Sequence, residues 1–174
     1  MEQARYFHQD HKELLNEAAV IAEEVTSDFF KLSISHWRRA RYDILTLEAL
    51  RAEEISTHAL AMVAKYDGCP QDRLLRSAAF DFYRVCLQDH NILKTLRQCA
   101  GLSLFPLLVY ILTHELVHIV RFSQFQALFE TPEEQKQEEE RRVHRLTQKI
   151  LAPLQVRDLP PVMRYYDDQI QGDC

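Results

Sequence analysis

The most apolar stretch of the chain, Leu102 to Val120, carries three ionisable side chains: His114, Glu115 and His118. That combination restricts the fold more than any other feature. Ionisable groups are costly in hydrocarbon, so the stretch is a poor membrane span. A buried central helix fits better. Leu108, Ile111, Leu112, Leu116, Ile119 and Val120 cover nearly all of its sides, and Pro106 is tolerated in a first turn. The pattern predicts a helix from about Phe105 to Phe125. Such a helix needs a core around it, and 174 residues, 47% hydrophobic and 27% charged, suffice for one domain. With 3 Gly and 6 Pro the chain cannot easily supply the turns of an all-β fold. The expected class is mainly α: a single compact helical domain over residues 1–174, with room for a small sheet.

Further helices follow from periodicity. Leu14, Leu15, Ala18, Ala19, Ile21 and Ala22 predict one from Gln9 to roughly Val25. Ser27-Asp28 reads as an N-cap for a next segment through Trp37, Ile44, Leu45, Leu47 and Leu50, with breaks expected near Ser33–Ser35 or Glu53–Ser56. Asp67-Gly68-Cys69-Pro70 is the clearest turn. Between Gln71 and about Cys99, Phe80 to Val85 has strand-like aromatic character, but flanking Leu and Ala favour helix. The N-terminal hundred residues are thus expected to be helical. Gly101-Leu102-Ser103 breaks the chain before the apolar helix. Thr131-Pro132-Glu133-Glu134 then predicts a capped start, with Thr131 at N-cap, Pro132 at N1 and Glu134 at N3. Pro153 ends that helix, and residues 154–174 are expected to form an irregular tail.

Net charge is −5, which disfavours a nucleic-acid partner, since phosphate binding calls for a basic excess. Cys69, Cys86, Cys99 and Cys174 show no CxxC spacing and read as reduced thiols. The first residues contain no apolar signal-peptide region, so a cytoplasmic protein without a membrane partner is expected.

His114-Glu115-Leu116-Val117-His118 has the form HExxH. Residues four apart lie one above the other on a helix, so both imidazoles can reach one zinc ion at about 2.0–2.1 Å. Glu115 projects beside them as a general base. One histidine on an apolar face would read as a satisfied core residue. Two at this spacing, with Glu after the first, point to metal.

A catalytic zinc normally has three protein ligands and one open position. The capped helix offers Glu138, Glu139, Glu140 and His144. Its apolar face is drawn by Val143, Leu146, Ile150 and Leu154. Glu138 points away, while Glu139 and Glu140 flank that face about equally. Helical geometry leaves the tie open, and any single Glu in such a run is ordinarily a solvated charge.

HExxH followed by a glutamate on a later helix resembles the gluzincin zinc metallopeptidases. The segment Glu140 to Pro153 is similar to the ligand helix of the ImmA/IrrE-type peptidases: a Glu, then a small residue and Asn or Asp one turn on, then an apolar run and Pro. The likeness covers about His114 to Pro153 and implies Glu140 as third ligand, 22 residues after His118. Val143 takes the small-residue place and His144 that of Asn/Asp. Val117 stands where such families usually carry Gly, and no strand is evident upstream to pair with a peptide substrate.

The resemblance implies a peptide or protein substrate, zinc held by His114, His118 and Glu140, and Glu115 moving the proton of the attacking water to the leaving amine. Tyr110, Tyr165 and Tyr166 could supply an oxyanion donor, and nothing in the sequence selects one. The three ligands are expected to meet between the fourth helix and the capped one. Two other functions compete. Glu115-x-x-His118 is also the ExxH of di-metal carboxylate bundles, although those use two copies. A non-catalytic helical binding module is the other. His8/His11, Glu54/His58, Asp89-His90 and the basic Trp37–Arg41 patch are weaker candidates. No phosphate loop and no GxSxG elbow occur.

Overall fold

A computed structural model describes residues 5–68 and 80–172. Among them are six α-helices and one three-stranded sheet. The helices are α1 (Gln9–Phe30), α2 (Ile34–Arg39), α3 (Asp89–Gln98), α4 (Leu104–Ser123), α5 (Glu133–Leu151) and α6 (Leu159–Gly172); the strands are β1 (Ala40–Leu45), β2 (Ala61–Gly68) and β3 (Phe80–Leu87). The architecture is mainly α.

Helix α4 is the centre. Fifteen of its residues, Pro106 to Val117 and Ile119 to Arg121, are buried. Helix α1, the sheet, α5 and α6 all pack against it. It is long and apolar enough to cross a membrane, but 83% of its most apolar window is buried inside the protein. Its hydrophobicity is used by the core, as expected from the sequence.

The N-terminal hundred residues are not all helical. Strand β3 lies between β1, which pairs with it in parallel, and β2, which pairs antiparallel. The Phe80–Val85 segment is therefore strand, correcting the helical expectation. Its period is two: Tyr83, Val85 and Leu87 join the core, while Arg84 between them turns to Asp43 and Glu54. Leu and Ala neighbours weigh less than pairing on both edges, which is non-local.

Other boundaries shift. Helix α1 continues past Val25, and Ser27-Asp28 lies in its last turn, where the two carbonyls accept from Leu32 and Lys31. Lys31 adopts φ 56 and ends the helix, close to the expected break. Helix α5 begins at Glu133 with extended Pro132 (ψ 150) as its cap, so Thr131 does not cap it. Residues 154–172 are not an irregular tail, because α6 occupies most of them. Pro160 and Pro161 fall in its first turn, where backbone N–H groups have no helical acceptor to lose. Leu159 and Val162 then anchor α6 in the core. The expected turn at Asp67–Pro70 lies partly outside the described residues, as do Cys69 and Cys174. Cys86 is buried and Cys99 half-buried, both unbridged.

Candidate metal centre

Helix α4 presents His114 and His118 on the side facing α5. Their Nε2 atoms lie 3.2 Å apart. Glu140, from the second turn of α5, reaches both: Oε1 is 2.9 Å from His114 Nε2 and Oε2 is 3.0 Å from His118 Nε2. Among the described residues, these three form the grouping of His, Cys, Asp and Glu that could hold a metal ion, with ligand atoms all within 4.8 Å of one another. Four donors around a zinc at about 2.0–2.1 Å stand about 3.3 Å apart in a tetrahedron. The two imidazole nitrogens are close to that spacing, while the two contacts to Glu140 run to different carboxylate oxygens at hydrogen-bond distance.

Glu139 does not join them. Its carboxylate is held by Arg121, with Arg121 Nη2 donating to Oε2 at 3.0 Å. His144 lies one turn after Glu140, its Nε2 3.3 Å from Glu140 Oε1. Tyr110 Oη is 2.9 Å from His144 Nδ1. His144 thus touches a member of the trio and stands outside the trio itself. Tyr166 of α6 stacks on Tyr110 with ring centroids 4.0 Å apart and lies 5.3 Å from the His144 ring. The α6 helix, where an irregular tail is expected from the sequence, therefore backs the site.

Ring packing fixes the two histidines. His118 meets His114 edge-on at 4.8 Å and stacks on Phe122 at 5.7 Å, and His144 lies 4.2 Å from His114. Both Nδ1 atoms are buried without a hydrogen-bond partner. Metal-binding histidines commonly donate from that nitrogen to an oxygen, and the described residues supply none.

Burial dominates the electrostatics on α4. It pushes the Glu115 carboxyl up to about 7, with His118 pulling it down and Glu140 adding to the rise. It depresses the His114 imidazole to about 4, although Glu140 opposes this. Burial would also depress His118, but Glu140, Glu115 and Glu139 outweigh it and raise that group. For Glu140, three histidine contacts overcome burial and hold the carboxyl far below the usual range.

Space adjoins the trio on both sides. A cavity of about 330 Å³ includes His114, Glu115, His118 and Glu140 in its walls. Ala61 to Val63 of β2 also line it, together with Phe122 and the connection residues Leu128 and Phe129. Among the described residues β2 pairs only with β3, so its outer edge is open beside this cavity. The sequence carries no evident strand signal there. A second cavity, about 570 Å³, lies between α5 and α6 past Glu140 and His144.

The weaker candidates have structural roles. Asp89 is buried and accepts from the backbone N–H of Phe7 and Leu47. Glu54 accepts from Arg84 and Tyr66. His11 Nδ1 accepts from the His8 N–H at the start of α1. Trp37 donates to Ser27 Oγ at 2.9 Å. Tyr165 packs edge-on against Tyr166. No family model, curated protein or solved structure matches the chain.

Proposed function

We propose that this protein is a zinc-dependent hydrolase acting on peptide bonds, with His114, His118 and Glu140 as metal ligands and Glu115 as general base. One observation carries the reading: two imidazole nitrogens and a carboxylate converge within 4.8 Å of one another, on the wall of a cavity that Glu115 also lines. Two His and one Glu match the donor set of catalytic zinc sites that keep an open position. When bound, zinc would polarise a scissile carbonyl and acidify water at neutral pH.

The chain's own groups do the remaining work. Glu115 is buried in the same wall, next to His114, where it can take a proton from the attacking water and return it to the leaving amine. The open edge of β2 offers backbone groups to an extended peptide laid along the cavity. Tyr110 is the least suited of the three tyrosines to reach a substrate oxyanion, because its hydroxyl is engaged by His144. A di-metal carboxylate site is less well supported, since the described residues bring together three donors suited to one ion, and only one ExxH is present.

Metal analysis of untreated protein, paired with a peptide-library cleavage assay, tests the proposal. About one zinc per chain and chelator-sensitive cleavage are expected. Two irons or manganeses per chain would favour the bundle reading, and no bound metal would favour a binding module.

A further inference from the structure

Glu139 and Glu140 are consecutive, and consecutive residues on a helix project about 100° apart. Both flank the face that α5 turns to α4, so rotating α5 about its axis would exchange them. Some contact must fix which carboxylate faces the histidines. The buried seam of Val143, Thr147, Ile150 and Leu151 fixes the coarse orientation of α5, but hydrophobic contact is non-directional and leaves small rotations open.

Arg121 supplies a directional contact. It lies three residues after His118, at the end of α4, and only 8% of its side chain is exposed. Its guanidinium grips Glu139 through two nitrogens, Nε to Oε1 and Nη2 to Oε2. The other donors close the start of the connection to α5: Nη1 reaches Gln126 Oε1 at 3.2 Å and Nη2 the Gln126 carbonyl at 3.3 Å. The Arg121 carbonyl in turn accepts from the Gln126 N–H. A two-point fork on a carboxylate fixes direction as well as distance, which a point charge cannot do. The tie sits within three residues of a proposed ligand on α4 and one residue of the proposed ligand on α5.

We propose that Arg121 is a positioning residue: by gripping Glu139 it fixes the fine rotation of α5 that holds Glu140 against the two histidines of the metal site. The inference rests on the metal reading above. It gives the Arg121–Glu139 pair a role in register, the best attested use of a buried ion pair.

The test uses the full chain, stripped of metal, with zinc affinity read by chelator competition and site geometry by the absorption of the cobalt-substituted protein. Arg121→Met and Glu139→Ala should each weaken zinc about 10- to 100-fold and alter the cobalt spectrum. The double variant should be no worse than the more affected single one, because both remove the same contact. Arg121→Lys, which keeps charge but loses the fork, should fall between. Gln126→Ala, which removes one side-chain acceptor from Arg121 but leaves its fork on Glu139, should weaken zinc less than either variant that breaks the fork. A tie that served stability alone would lower the melting temperature while the folded variants kept wild-type zinc affinity and spectrum, and that result would overturn the proposal. Glu139→Ala decides the matter if Arg121→Met does not fold. Absence of zinc binding by the wild-type chain is a distinct failure, since it removes the metal reading itself.

Discussion

Glu115 and Glu140 show how one residue type takes two roles. Glu115 sits in the apolar wall of α4, and burial raises its carboxyl to about 7. Glu140 faces three histidines and is held fully ionised at neutral pH. Replacing Glu115 by Gln keeps shape and burial but removes the proposed base. The variant should bind zinc as tightly as wild type and lose turnover by about a hundred- to ten-thousandfold. Undiminished cleavage by Glu115→Gln would remove its assigned role. Replacing His118 by Ala removes a proposed ligand, and zinc content and cleavage should disappear together. A variant that retained one zinc per chain would contradict the ligand assignment.

Elements matter through what they pack against. Helix α4 is legible from sequence because its signal is local and continuous. Helix α6 is not, because Leu159-Pro160-Pro161 reads as a stop unless it is recognised as a first turn. Its place behind Tyr110 and His144 depends on Leu159 and Val162 entering the core. Truncating Leu159 to Ala should therefore cost about 2–5 kcal/mol in urea unfolding. An irregular tail would make the same change nearly silent, so a loss under about 0.5 kcal/mol would show that α6 is not docked. Strand β3 was legible only in part. Its alternation is present in Tyr83, Val85 and Leu87, but partners on both edges, distant in sequence, decide that the segment is extended.

At the scale of the whole molecule, metal and pH should both shift stability. Zinc that binds only the folded chain should raise stability by about 2.7 kcal/mol at a free concentration a hundred times the dissociation constant, reversed by chelator. A melting temperature indifferent to zinc would exclude a site formed by folding. Glu54 and Tyr66, paired on the sheet with Arg84, set expectations at the pH extremes. Burial opposes ionisation of Glu54, but Tyr66, the Arg51 N–H and Arg84 outweigh it and lower its pKa below 4.5. The unfolded chain then holds more protons, so this stabilisation is complete above about pH 4.5 and is lost as pH falls through the folded value. Tyr66 is raised above 10.0, first by its bond to Glu54, so its stabilisation is present below that pH and is lost as pH rises through the folded value. Glu54→Gln should flatten the acid limb of a stability–pH curve measured by urea titration, and an unchanged limb would assign acid sensitivity elsewhere.

The sequence by itself determined the central helix, the HExxH spacing on it and a following charged helix with two equivalent glutamates on its inner face. Those features are local, repeating every three to four residues, and local periodicity survives without knowledge of neighbours. Only the tertiary structure decided which glutamate meets the histidines, because the two project about 100° apart on either side of one apolar face, and contacts with α4 turn Glu140 to the histidines and Glu139 to Arg121. The same holds for the sheet edge beside the cavity and for α6 behind His144. Each exists through contacts between residues far apart in the chain, whose energy no short window of sequence contains.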